Sequence, residues 1–294
     1  MIVWLFLAVI AGLLIDVPVA RSFTTPVLGA LLFVTFLSIP LRRLRIDARL
    51  LAVLALLNFL VVPLVVGVIT WPLRDDGVVY AAVLLVLLAP CIDYVIAFSG
   101  LAGGAREQLL AATPFLLLGQ MLLLPLYLGL FLGSSGVMTP GPFLEAFLLL
   151  IVVPLALATL AQRSRWADFW AQAGERAMTP LMMATLFVVM AGYSADALQE
   201  WQLLLPPVAV YVLFAAVMLV LGWAIAGGAH LSTPARVSAT FSGVTRNSLV
   251  VLPFAMAMPG AIAPVVVVTQ TLVELVVMVA MVWSVPFVVR QNAA

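Results

Sequence analysis

Charged residues, cysteine and histidine are scarce in this sequence. Acidic and basic residues together make up 9% of the 294 residues, and the chain has one cysteine, one histidine and no lysine. A single cysteine excludes an intramolecular disulfide, and a single histidine argues against a metal site built from imidazole groups. So few charged residues leave too little polar surface to cover the core of a soluble domain.

Long apolar runs fill the sequence instead. Hydrophobic residues account for 66% of the chain and the mean hydropathy is +1.28, whereas a soluble domain is about half apolar. The runs are continuous rather than alternating, which excludes a β-barrel. The first run has neither a basic leader nor a small-residue cleavage site, which predicts a membrane span rather than a cleaved signal. The sequence therefore predicts an all-α polytopic membrane protein that lies within the lipid bilayer.

Ten transmembrane helices are predicted from the lengths of these runs. The core of a bilayer is roughly 30 Å thick, and about 20 helical residues cross it. By that length the spans fall at residues 2–15, 25–41, 50–71, 78–100, 108–132, 142–161, 177–194, 203–228, 235–258 and 262–289.

The positions of the arginines predict the orientation of these spans, because cytoplasmic loops carry an excess of basic residues. If both termini share one side, that side receives Arg42, Arg43, Arg45, Arg49, Arg106, Arg163, Arg165, Arg176, Arg236 and Arg290. The opposite loops receive only Arg21 and Arg74. We therefore predict that both termini are cytoplasmic and that the protein lies in the plasma (cell inner) membrane.

An internal repeat is also predicted. Residues 1–134 and 135–294 would each contain five spans, and an odd number of spans places two related halves in opposite orientations. The segment GQMLLL at 119–124 in the fifth span resembles TQTLVE at 269–274 in the tenth. The sequence therefore predicts two inverted five-helix repeats.

The fourth and ninth predicted spans are interrupted. Pro90 lies within the fourth span, and the polar segment 245–248 lies within the ninth. Proline removes a helical donor, and non-helical backbone is tolerated at membrane depth only where it lines protein or an aqueous cavity. Interrupted spans at matching positions indicate the binding site of a transporter. We predict that both helices are discontinuous and cross at the midplane, the alternative being a simple kink at Pro90.

Three ionisable residues lie too deep in these spans to reach an interface: Asp93, Arg246 and Glu274. A charge at the bilayer centre costs about 3 kcal/mol, so such residues form pairs or serve ions and substrate. Asp93 and Arg246 would be neighbours at the crossing, as a structural ion pair or as part of the transport site. Asp93, the carbonyl groups at half-helix C-termini and an anionic substrate are the three candidates to compensate Arg246.

Cys91 follows the predicted break directly. A lone buried cysteine is usually a small hydrophobic residue, but a half-helix N-terminus and a neighbouring arginine both favour the nucleophilic thiolate. Thiolate is the ligand that soft metals and metalloids prefer. We therefore predict a substrate-binding site at Cys91, Asn247 and Ser248, with no resident metal and no cofactor.

Three segments carry a resemblance to a known family. APCIDYVIAFSGLAGG, which begins at Ala89, resembles the Ala-Pro-Cys signature of arsenical-resistance permeases, the arsenite-efflux branch of the bile acid:sodium symporter superfamily. LNFLVVPLVVG, from Leu57, is similar to the third span of that superfamily. TLVELVVMVAMVW, from Thr271, is similar to its last span.

The resemblance implies two inverted five-helix repeats, arranged as a core domain with crossing discontinuous helices and a separate panel domain. It further implies export of trivalent arsenite or antimonite, driven by proton entry through alternating access. Cys91 matches the metalloid-binding cysteine of the permeases, and Glu274 matches their late glutamate.

Two departures from the permease pattern bear on the coupling ion. The Pro-Cys pair is followed by Ile92, Asp93 and Tyr94 rather than by small or hydroxyl residues, and the ninth span carries Arg246. Because a guanidinium group repels sodium, we predict coupling to protons through Glu274 or Asp93, with sodium less favoured.

The alternative function is a sodium- or proton-coupled transporter of organic anions of the bile-acid type, which would need Arg246 but not Cys91. No nucleotide-binding motif and no hydrolase constellation is found. We therefore expect no enzymatic activity, and no nucleotide or nucleic-acid partner.

Overall fold

A computed structural model provides the fold. It describes residues 2–15, 17, 19–37, 47–92, 94–133, 140–199 and 201–291. Asp93 and the arginines at 42, 43 and 45 lie outside the described residues.

The described residues form α-helices joined by short turns. The helices are α1 (Ile2–Leu14), α2 (Ala20–Leu37), α3 (Ala48–Leu56), α4 (Val62–Ile69), α5 (Gly77–Leu87), α6 (Tyr94–Leu101), α7 (Arg106–Leu132), α8 (Pro140–Phe147), α9 (Val153–Arg163), α10 (Ala167–Gln199), α11 (Trp201–Gly228), α12 (Thr233–Val244), α13 (Ser248–Met256) and α14 (Ile262–Gln291). π-Helical turns at Leu57–Val61 and Leu148–Val152 join α3 to α4 and α8 to α9.

Within these residues, six helical stretches are long and apolar enough to cross a membrane. They are Ala20–Leu37, Ala48–Ile69, Arg106–Leu132, Ala167–Ala195, Trp201–Gly228 and Ile262–Val285. The shorter apolar helices Gly77–Leu87 and Leu148–Arg163 accompany them. This helical architecture is that of a polytopic membrane protein.

Two helices begin earlier than the apolar runs predict. Helix α2 begins at Ala20, so that Arg21 lies in its first turn rather than in a loop. Helix α10 begins at Ala167 instead of residue 177, which reduces the long predicted loop at 162–176 to a turn. The prediction was wrong there because hydropathy marks only the membrane-buried part of a helix. The first turns of α10 interleave Asp168, Gln172, Glu175 and Arg176 with apolar residues, and Asp168 suits the positive end of the helix dipole.

The helices pack in two groups. In the first, α10 packs against α1, α2 and α9. We call α1, α2, α8, α9 and α10 the panel helices. In the second, α14 packs against α5, α11 and α13, and α12 packs against α6 and α11. We call α3 to α7 and α11 to α14 the core helices. The two groups meet where α10 contacts α14 and where α13 contacts α2 and α8.

Close approach between helix backbones is clearest between α1 and α10. A Cβ atom added at Gly12 would lie 2.7 Å from the Cβ of Met190 and 2.8 Å from the carbonyl oxygen of Phe187. Only glycine permits this spacing, and small residues at such contacts are typical of helix pairs in membranes.

Candidate substrate and ion site

Two interrupted helices meet at the centre of the core helices. α5 ends at Leu87 and α6 begins at Tyr94, while α12 ends at Val244 and α13 begins at Ser248. The two interruptions lie antiparallel to each other, with Pro90 opposite Arg246 in a single β-bridge. The helical breaks of two distant segments are therefore joined into one crossing.

Backbone groups freed at one break are bound by the other. The N–H of Asn247 donates to the carbonyl of Ala89 at 2.8 Å, and the N–H of Cys91 donates to the carbonyl of Thr245 at 3.4 Å. Polar backbone groups buried at this depth require such partners because no water is available. The crossing thus stabilises two breaks that each helix alone could not tolerate.

Local sequence explains where the helices break. Pro90 has no N–H and clashes with the preceding turn, so α5 cannot continue through it. On the other side, the Asn247 side chain accepts a hydrogen bond from the N–H of Val250 at 3.1 Å and caps the start of α13.

Arg246 is completely buried at the crossing. Its Nη2 donates to Asn58 Oδ1 at 2.9 Å, to the carbonyl of Ser242 at 2.8 Å and to that of Gly243 at 2.7 Å. Its Nη1 donates to the carbonyl of Leu87 at 3.4 Å. Leu87 ends α5, and the other two carbonyls belong to the last turn of α12, so the guanidinium contacts the negative ends of two half-helices.

The sequence left three candidates to compensate the positive charge of Arg246, and these contacts support one of them. Of the three candidates, the half-helix carbonyls are in direct contact with it. Asp93 lies outside the described residues, so its predicted pairing with Arg246 stays a prediction. Glu274 and Cys91 lie close enough to interact electrostatically with the guanidinium, whose carbon lies 5.3 Å from the ring centroid of Phe214.

Asn58 is a site residue that the sequence reasoning missed. It lies in the π-helical turn between α3 and α4, is fully buried, and its Nδ2 donates to Ser242 Oγ and to the carbonyl of Leu54, both at 3.0 Å. The available signal was a lone amide in the apolar run LNFLVVP. π-Helical turns are also frequent at functional sites.

Cys91 and Asn247 lie together at the crossing. The cysteine is 1% exposed and the asparagine 2% exposed. Asn247 Oδ1 caps α13, whereas its Nδ2 has no hydrogen-bond partner among the described residues. The crossing therefore offers a buried thiol and a buried amide donor that is free to bind a ligand.

Helix α14 adds a second polar cluster next to α13. Ser248 Oγ and Thr271 Oγ1 lie 2.5 Å apart, which links the start of α13 to α14. Glu274, 3% exposed, accepts a hydrogen bond on Oε2 from Gln270 Nε2 at 2.5 Å. Thr271 and Gln270 were not predicted as site residues, although the polar residues of TQTLVE within an apolar span indicated them.

Comparison with protein families bears on the class of this molecule. The model of the sodium bile acid symporter family matches residues 25–200, more than half of the chain. The chain belongs to the sodium bile acid symporter family. A comparison with curated proteins gives no significant match.

Membership of the sodium bile acid symporter family confirms the superfamily that the sequence resembled. Its members are transporters of small solutes rather than enzymes, and several apolar helices make this member a multi-pass membrane protein. The matched residues include the break at Pro90 but end before the break at Arg246, so the crossing itself is an observation of the structure.

A small cavity lies where the core and panel helices of this symporter-family protein meet. It has a volume of about 20 Å³, room for a single water molecule. Its lining comes from α7, α13 and the region of α8: Leu117, Gln120, Met121, Leu124, Pro125, Phe147, Ile151, Val250 and Phe254. Gln120 is 3% exposed, and its Oε1 has no hydrogen-bond partner within the described part of the chain.

Proposed function

We propose that this chain is a secondary active transporter that exports trivalent arsenite, or antimonite, from the cytoplasm in exchange for protons. The observation that carries the proposal is the buried Cys91 thiol at the helix crossing, to which Asn247 contributes a buried amide donor. This member of the symporter family would bind its solute at the crossing and expose it alternately to the two sides of the membrane.

The chemistry of the crossing suits a small metalloid hydroxide. A thiolate is a soft ligand, and arsenic(III) is a soft acceptor. Condensation of the Cys91 thiol with one As–OH group forms an S–As bond and releases water, and hydrolysis reverses the step. The remaining hydroxyl groups of the solute would accept from Asn247 Nδ2 and exchange hydrogen bonds with Ser248. One sulfur ligand makes the bond weak enough for release.

Proton coupling requires a group whose protonation alternates as the site changes sides. Glu274 is buried beside Gln270 and lies within electrostatic range of Arg246, which is permanently charged. We assign the proton to Glu274, and Asp93 is the second candidate. Protonation of Glu274 would remove its attraction to Arg246, which ties the protonation state to the geometry of the crossing.

Sodium is the coupling ion named by the family, but the crossing of this member favours protons. The Arg246 guanidinium lies in contact with carbonyl groups of both broken helices, and its charge repels a second cation there.

Transport of an organic anion is the alternative function. It would use Arg246 as a counter-charge for the substrate. The guanidinium is fully buried, and its Nη2 already donates to Asn58 and to two carbonyl groups. These contacts favour a structural role for Arg246. In addition, a carrier of organic anions has no need of the Cys91 thiol.

For the architecture, we propose ten spans in two inverted repeats, residues 1–134 and 135–294. The two breaks, which the β-bridge between Pro90 and Arg246 brings together, would fall in the fourth and ninth spans and so at corresponding positions of the proposed halves. Gln120 and Gln270 occupy equivalent positions of the related segments GQMLLL and TQTLVE, and both are buried with Oε1 unpartnered within the described residues. The arginine distribution supports cytoplasmic termini in the cell inner membrane.

Everted membrane vesicles test this proposed function directly. Vesicles that contain the transporter should accumulate arsenite when an inside-acidic pH gradient is imposed, equally with sodium or choline as the salt. Collapse of the gradient with a protonophore should stop accumulation. Uptake that follows a sodium gradient, or uptake of a bile-acid-like anion in place of arsenite, would favour the alternative function.

A further inference from the structure

Oxygen atoms from three separate helical segments surround one guanidinium group in the crossing. The carbonyl of Leu87 comes from the end of α5, those of Ser242 and Gly243 from the end of α12, and Asn58 Oδ1 from the π-helical turn. We call these four oxygens the oxygen cage. The three carbonyls belong to helix ends, and the Asn58 amide is held by hydrogen bonds from its Nδ2 to Ser242 Oγ and to the carbonyl of Leu54.

The oxygen cage has the chemistry of a site for a hard monovalent cation. Carbonyl and amide oxygens are the ligands that such cations prefer, and half-helix C-termini add partial negative charge. All four oxygens of the cage are neutral carbonyl or amide oxygens. Such a set suits a single positive charge.

In this protein the positive charge at the oxygen cage is supplied by the side chain of Arg246. The Arg246 guanidinium carries one charge that is not lost at physiological pH, and its planar donors contact all four oxygens. Arg246 follows the last turn of α12. Its guanidinium therefore contacts carbonyl groups at the end of that helix and also contacts α5 and Asn58.

We propose that Arg246 is a built-in cation that joins the two broken helices, and that its removal turns the oxygen cage into a binding site for free sodium or guanidinium. The residue thereby makes the crossing independent of dissolved cations.

Thermal unfolding of the purified protein in detergent tests the proposal. The parent should melt at the same temperature in sodium chloride and in choline chloride of equal ionic strength. Arg246→Ala should melt on the order of 10 °C lower in choline, because one partner of a buried charged network is gone. Titration with sodium or with dilute guanidinium chloride should raise its melting temperature in a saturable way.

Arg236→Ala is the matched control. Arg236 lies on α12, the helix that precedes Arg246, and donates from Nε to the Trp223 carbonyl at 2.9 Å, with its guanidinium carbon 3.9 Å from the Trp223 ring centroid. Among the described residues, its guanidinium donates to one carbonyl oxygen, that of Trp223, so sodium should not restore the melting temperature of this variant.

Arg246→Lys keeps the proposal testable if Arg246→Ala does not accumulate. The ammonium group retains the charge, so the lysine variant should fold and should melt equally in sodium and choline.

Three results would overturn the proposal: saturable stabilisation of the parent by sodium, the same response in Arg246→Lys, or an Arg246→Ala variant that responds to cations no more than Arg236→Ala does. Because melting requires no arsenite, failure of the proposed substrate would leave these outcomes unchanged.

Discussion

At the scale of single residues, Cys91 decides between metalloid chemistry and packing. Cys91→Ser replaces a soft ligand with a hard hydroxyl of nearly the same size, so arsenite transport should fall to the background of empty vesicles. Cys91→Ala should do the same, and both variants should melt within a few degrees of the parent. Full arsenite export by either variant would show that Cys91 only packs in the core, and would favour transport of an organic anion.

Glu274 is the residue whose protonation we expect to drive transport. Glu274→Gln keeps the shape of the side chain but cannot release a proton, so pH-driven accumulation should stop while arsenite binding at equilibrium persists. Glu145→Gln provides the control because Glu145 is exposed on α8 and should not affect transport. If Glu274→Gln still follows the pH gradient, the proton belongs to another group, with Asp93 as the next candidate.

At the scale of helices, the α1–α10 contact makes a stability prediction. Gly12→Ala places a Cβ atom 2.7 Å from that of Met190, and overpacking of this kind costs about 1–3 kcal/mol. Gly129→Ala on α7 meets nothing within 4 Å and should be neutral or slightly stabilising, because alanine favours the helix. The melting temperature of Gly12→Ala should therefore fall, whereas that of Gly129→Ala should stay unchanged or rise slightly. A neutral Gly12→Ala would show that α1 and α10 pack less closely than described.

At the scale of the whole molecule, the arginine distribution predicts the orientation in the membrane. Arg165 lies in the turn between α9 and α10, and Asp75 lies in the turn between α4 and α5. In a Cys91→Ser background, a cysteine replacing Asp75 should react with an impermeant thiol reagent in intact cells, whereas one replacing Arg165 should react only after permeabilisation. The reverse pattern would invert the proposed topology, and labelling of both would remove the basis for two inverted repeats.

The sequence by itself determined the class of molecule and the places where its helices fail. Composition predicted a helical membrane protein, because a chain with 66% hydrophobic residues has too little polar surface to be stable in water. The family comparison confirmed the superfamily that the Pro90–Cys91 segment resembled. Pro90 and the polar segment around Arg246 marked the interruptions, since a missing donor and a buried charge are local properties of the chain.

Only the tertiary structure decided what Arg246 contacts. Its partners Asn58 and Leu87 lie 188 and 159 residues away along the chain, and no local pattern encodes contacts at such separations. The early start of α10 was likewise missed, because the charged residues in its first turns interrupt the apolar run but not the helix. Hydropathy and helix breakers act within a few residues, whereas the charge of Arg246 is compensated by groups that only folding brings together.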